Sequence, residues 1–107
     1  MSNDVNYEFG RFYFSPGKQQ LLSDGIPIPL TNKAFKTLQV LIAKSGHLVE
    51  KSEIMSAVWK DSYIEDCNLP VTISMIRKAL GDTPKQSKYI QTVIKRGYRF
   101  TAGARLC

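Results

Sequence analysis

Lys95, Arg96 and Gly97 stand together near the end of the chain, in the run Thr92-Val93-Ile94-Lys95-Arg96-Gly97-Tyr98-Arg99-Phe100. Two adjacent cations and a glycine between two strand-like segments make a basic hairpin tip. The chemistry open to such a tip is the binding of a polyanion. Residues 68–107 hold eight Lys or Arg (Arg77, Lys78, Lys85, Lys88, Lys95, Arg96, Arg99, Arg105) against a single acid, Asp82. Residues 1–67 hold seven basic and eight acidic side chains, so the whole excess behind the net charge of +6 lies in the last 40 residues. On charge alone, a polyanion partner and a solvated basic face fit equally well.

Other chemistry finds little support. His47 is the only histidine and has no companion that suggests a triad. Cys67 and Cys107 lie 40 residues apart, with no Cys-x-x-Cys, no zinc spacing and no phosphate-cradling Gly-x-x-x-x-Gly-Lys. Cys67 is a surface thiol or a redox group, the former being the plainer reading. The expectation is a protein that is not an enzyme and holds no cofactor or metal. The longest apolar run is four residues, Val40–Ala43, far short of the ~20 a membrane span needs. Met1-Ser2-Asn3-Asp4 lacks the basic and apolar segments of a secretory signal, and the expected location is the cytoplasm.

A length of 107 residues predicts one domain. Residues 7–14 are aromatic-rich and predict a strand bulged at Gly10; residues 20–23 predict a second, closed by the Asp24-Gly25 turn. Ile26, Ile28 and Leu30 alternate with prolines, which confines that strand to an edge. Thr31 caps a helix over 32–44 with Ala34, Phe35, Leu38, Leu41 and Ile42 as its apolar stripe. His47–Val49 is an extended link. A second helix spans roughly 51–59, burying Ile54, Met55 and Val58, and a loop covers 60–67. A third helix runs from about Asn68 to Leu80, with Leu69, Ile73, Ile76 and Leu80 facing inward. Val71, Ser74, Met75 and Lys78 then face outward, with Thr72 and Arg77 on the flanks. The hairpin closes the chain, and Gly97 supplies the freedom of its tip. Two short helices, an exposed third and a basic hairpin describe a helix-turn-helix with a wing.

The runs Val58-Trp59, Glu65-Asp66, Ile76-Arg77-Lys78-Ala79-Leu80-Gly81-Asp82, Tyr89-Ile90-Gln91-Thr92-Val93 and Arg96-Gly97-Tyr98-Arg99-Phe100 resemble the OmpR/PhoB-type winged-helix DNA-binding domain. Phe9-Gly10, Leu30-Thr31 and Ala34-Phe35 fit the same pattern. The resemblance covers residues 7–102, leaving 1–6 as an N-terminal tail and 103–107 as a C-terminal tail or the start of a linker. It implies an α+β fold: an N-terminal four-stranded antiparallel sheet, a three-helix core and a C-terminal β-hairpin wing. It also implies a bacterial transcriptional regulator that binds double-stranded DNA sequence-specifically, with the third helix in the major groove and the wing on the backbone or minor groove. The domain begins within about six residues of Met1, whereas a phospho-receiver domain needs on the order of a hundred. The arrangement therefore resembles the receiver-less CadC/ToxR-type, a one-component regulator with its sensor downstream, and leaves membrane anchoring open.

The candidate DNA-binding residues are Trp59, Val71, Thr72, Ser74, Met75, Arg77, Lys78, Thr92, Lys95, Arg96 and Arg99. Trp59 is either core or an indole donor to phosphate; Thr92 either a plain strand residue or the family's phosphate-contacting threonine; Arg99 either paired with an acid or free for phosphate. Arg77 and Lys78 complement the helix dipole or reach phosphates. The resemblance further implies that Lys60, Asp61, Tyr63, Glu65 and Asp66 of the 60–67 loop contact RNA polymerase. Cys67, Ser74 and Met75 stand where some members carry base-reading arginines, and Ile94 where some carry a wing arginine. Arg-to-guanine readout is thereby depleted. Phosphates, thymine-methyl contacts from Val71 and Met75, and a narrow minor groove at the wing are expected to carry more of the recognition. The isolated domain is expected to be a monomer that pairs on DNA. The alternative is a winged-helix adaptor that grips an acidic protein.

Overall fold

A computed structural model describes residues 6–59, 69–82 and 88–106. Eight strands and three helices occur among them: β1 Tyr7–Phe9, β2 Phe12–Ser15, β3 Gln20–Ser23, β4 Ile26–Pro27, α1 Asn32–Ala43, β5 Leu48–Glu50, α2 Lys51–Val58, α3 Leu69–Leu80, β6 Ile90–Val93, β7 Gly97–Phe100 and β8 Arg105–Leu106. The strands form an antiparallel platform in the order β4-β3-β2-β1-β8 and a second sheet in the order β5-β7-β6.

The stretch expected as one bulged strand is a hairpin. Phe9 pairs with Phe12, and the chain turns at Gly10-Arg11 with Gly10 at φ 59°. Glycine meets that left-handed conformation without a Cβ clash. This split supplies the fourth strand that the residues alone did not show. At Asp24-Gly25 the turn forms as expected, between Ser23 and Ile26, and the proline-bearing β4 takes the edge. The opposite edge is covered by β8, which pairs Leu106 with Tyr7 and Arg105 with Glu8. Residues 105–106 are thus part of the sheet and not a tail. His47–Val49 is likewise more than a link, because β5 pairs with β7 and makes the wing sheet three-stranded.

Aromatic packing fixes the platform to the rest. Phe14 stacks on Phe35 of α1 with ring centroids 4.6 Å apart, and Phe9 meets Phe100 of β7 edge-on at 5.0 Å. The sheet therefore braces the first helix and the wing base together. Thr31 caps α1, its hydroxyl accepting from the Ala34 N–H at 3.1 Å, and the stripe Ala34, Phe35, Leu38, Leu41, Ile42 is buried. Glu50 and Glu53 form a capping box that starts α2 directly after β5. Lys44 pairs with Glu53 and holds the Glu53 carboxyl below its ordinary range, linking the end of α1 to the start of α2.

Candidate nucleic-acid interface

The helix α3 buries Leu69, Thr72, Ile73, Ile76 and Leu80. Val71 and Met75 are 49% and 38% exposed, and Ser74 and Lys78 are exposed beside them. The outward face is the one expected. Thr72 is the correction: at 5% exposure it lies inside and offers no surface for DNA. It sits three residues after Leu69 and so falls on the same face, which makes the inward stripe wider than the four residues that defined it. Met75 borders a shallow groove formed with Pro29, Leu30 and Thr31 at the start of α1.

The end of α3 is tied to the wing by two devices. Gly81 N–H donates to the Lys78 carbonyl at 3.2 Å and Asp82 N–H to the Arg77 carbonyl at 2.7 Å, with Gly81 at φ 73°. These are the two bonds of a Schellman end. The buried Asp82 carboxylate then accepts the N–H groups of Lys88 at 2.7 Å, Tyr89 at 3.1 Å and Ile90 at 3.2 Å. In the second device, Arg77 Nη2 donates to the Ile90 carbonyl at 3.0 Å and to Thr92 Oγ1 at 2.7 Å. Arg77 is therefore neither a plain solvated helix end nor a fully free cation; it bridges the helix to β6. Burial pushes the Tyr98 phenol up, against the pull of the nearby Arg77 charge. Tyr98 is the cross-strand partner of Thr92, so the three side chains form one junction.

Beyond this junction β6 and β7 run to a three-residue link. Ile94, Lys95 and Arg96 are all exposed, and Lys95 takes φ 65°. The left-handed residue of the tip is thus Lys95 and not Gly97. Gly97 is required for a different reason: a Cβ there would lie 2.1 Å from the Val49 carbonyl oxygen, so only glycine lets β5 approach β7. Arg96 lies 3.7 Å from the Glu50 carboxylate, both side chains more than half exposed, which leaves the guanidinium accessible. Arg99 is half-buried and donates to Gln91 Oε1 at 3.5 Å; among the described residues no acid pairs with it. Trp59 is 7% exposed at the C-cap of α2, with Lys33 Nζ 5.7 Å from its ring centroid, which is the core position of its two readings. Lys60, Asp61, Tyr63, Glu65 and Asp66 lie outside the described residues, as do Cys67 and Asn68.

The structure brings Val71, Ser74, Met75 and Lys78 onto one face, joins Arg77 to Thr92, and sets Lys95 and Arg96 at the protruding end of the same unit. Missed from the sequence was the clasp function of Asp82. The available signal was an acid placed directly after a helix-ending glycine in an otherwise acid-free basic stretch.

Residues 25–100 match the family model described as "Transcriptional regulatory protein, C terminal". The chain is 31% identical over 85 residues to the transcriptional regulatory protein KdpE of Mycobacterium tuberculosis, covering 78% of this chain and 38% of KdpE. It is 31% identical over 91 residues to the transcriptional activator CadC of Escherichia coli, covering 84% of this chain and 18% of CadC. The chain thus spans well under half the length of these two relatives. Among solved structures, the DNA-binding domain of E. coli CadC is similar with a TM-score of 0.81 and 27% identity, over 100% of both chains. The DNA-binding domain of RstA from Klebsiella pneumoniae, crystallised with the RstA box, shares the fold at a TM-score of 0.79 and 24% identity, over 92% of this chain and 98% of that one.

Proposed function

The chain belongs to the family of transcriptional regulatory protein C-terminal domains, and from that premise we propose that residues 7–102 bind double-stranded DNA sequence-specifically as the reading head of a transcriptional regulator. In this proposal α3 enters the major groove through Val71, Ser74, Met75 and Lys78. Thr92, Lys95, Arg96 and Arg99 meet the backbone or minor groove beside it. The observation that carries the reading is the bond from Arg77 to Thr92, because it fixes an exposed helix face and a basic hairpin as one rigid unit. A groove-reading helix and a backbone-gripping wing need a set spacing between them. Arg77 holds this unit together, and Trp59 packs in the core at the end of α2.

The unit has no catalytic part in this reading, and no cofactor. Ser74 and Met75 cannot make a bidentate pair with guanine, so discrimination rests on single hydrogen bonds, methyl contacts and DNA shape. The domain is a monomer in solution that pairs on DNA, the 60–67 loop contacts RNA polymerase, and a sensor belongs to the longer regulator. The domain works at the nucleoid; among the described residues no helix is long and apolar enough to cross a membrane.

Fluorescence anisotropy with random-sequence duplex across a salt series tests the proposal, followed by selection from a random DNA pool. Affinity that falls steeply with salt, and enrichment of a repeated site, are the expected results. Salt-insensitive or absent binding would favour the adaptor that grips an acidic protein. Met75→Ala should lower discrimination at one or two thymines and leave random-duplex affinity nearly intact.

A further inference from the structure

The wing tip carries an apolar side chain that the protein itself does not use. Ile94 is 79% exposed, the most exposed large hydrophobic residue among those described, and it takes no part in the core. Single exposed apolar residues need no explanation in general. The surroundings of this one are specific. It is followed by two exposed cations, and the link that bears it is anchored at its far end: Arg96 N–H donates to the Val93 carbonyl at 2.9 Å, and the Arg96 carbonyl accepts from Lys51 N–H at 3.1 Å. A β-branched side chain has few rotamers, so Ile94 projects as a stiff knob on a fixed support.

We propose that Ile94 is a minor-groove wedge, which seats against sugars and base edges while Lys95 and Arg96 hold the flanking phosphates, and which partly opens one flexible pyrimidine–purine step beneath the wing. Apolar side chains pressed between base steps are a recurring way to bend DNA, and the step that unstacks most easily is the one selected. An arginine in place of Ile94 would instead favour a narrow, strongly negative A-tract groove, so the wedge reverses the narrow-groove preference expected at the wing from the sequence. Ile94 thereby becomes a specificity determinant for deformability at a position where no base edge is hydrogen-bonded. The inference rests on the wing contacting DNA as proposed above.

The test uses the full chain and two duplexes built on the site it selects from a random pool. They differ only at the step that footprinting places under the wing, TA in one and AA within an A-tract in the other, with 2-aminopurine substituted at that step. The wild-type protein should prefer the TA duplex by about five- to tenfold and raise the 2-aminopurine fluorescence. Ile94→Ala should lose both effects while keeping its salt dependence and its urea midpoint, and Ile94→Arg should turn the preference toward the A-tract. Preference and fluorescence unchanged in Ile94→Ala, or a wild-type preference for the A-tract, overturns the wedge and leaves DNA binding standing. Absence of salt-dependent duplex binding by the wild-type protein overturns both.

Discussion

The base and the tip of the wing are built from the same two strands and do opposite work. At the base, Ile90, Tyr98 and Phe100 are buried, Asp82 gathers three N–H groups, and Arg77 bridges to β6. At the tip, Ile94, Lys95 and Arg96 face solvent, and the only ion pair they make among the described residues is the long, exposed one from Arg96 to Glu50. The base is committed to the fold and the tip is free for a partner. Substitutions at the base should therefore cost stability first, and those at the tip should cost binding alone.

The largest effect is expected at Gly97. Gly97→Ala forces a Cβ to 2.1 Å from the Val49 carbonyl oxygen, a backbone atom that moves only if β5 and β7 part. A loss of about 3 kcal/mol or more in urea unfolding follows. A loss under about 1 kcal/mol would show that β5 is not held to the wing. Next comes Asp82→Ala, which strips the acceptor from Lys88, Tyr89 and Ile90 N–H groups, the latter two in buried residues. The cost should be about 2–3 kcal/mol, with Asp82→Asn recovering part of it through its remaining carbonyl oxygen. Equal losses in the two variants would mean that hydrogen bonding is not what Asp82 supplies.

A smaller effect sharpens the border between the two halves. A double-mutant cycle on Arg77→Ala and Thr92→Ala should return a coupling of about 1 kcal/mol in the free domain. Zero coupling would show that the Arg77–Thr92 bond does not hold helix to wing, and would leave the Asp82 clasp and the Arg77–Ile90 bond as the ties that set their spacing.

What was legible in the sequence follows the same border. The outward face of α3 could be read because twelve residues give a full helical period, and the tip because charge and a hairpin signal coincide there. Thr72 was misplaced because the inward stripe was drawn through apolar residues alone, while a threonine within it is equally buried. The partners of β5 and β8 lie far along the chain, Val49 against Tyr98 and Glu8 against Arg105, and strand pairs of two or three residues leave no local period to detect. Gly97 was identified as necessary, but for the wrong reason. Tightness of a turn is visible in sequence, and the approach of a third strand is not. The Arg77–Thr92 bond, fifteen residues apart, was hidden in the same way: each residue was singled out alone, and the distance that joins them exists only in the fold.

The smallest stability effect, and the clearest break between base and tip, should come from Lys95→Ala with Arg96→Ala. Neither side chain is buried, and the Arg96–Glu50 pair at 3.7 Å is exposed on both sides. Such pairs contribute roughly 0–1 kcal/mol. Lys95 also holds φ 65°, a conformation that alanine tolerates no better than lysine, so backbone strain is nearly the same in both. The urea midpoint should therefore shift by no more than about 0.5 kcal/mol equivalent. Duplex affinity should fall for every sequence alike, because phosphates carry no sequence information. The slope of log affinity against log salt should flatten by about two, near one counterion for each lost phosphate contact. A flattening of about one would assign a single contact to the tip and leave Glu50 as the real partner of Arg96. An unchanged slope together with a lowered urea midpoint would erase the distinction, because the tip would then belong to the fold as the base does.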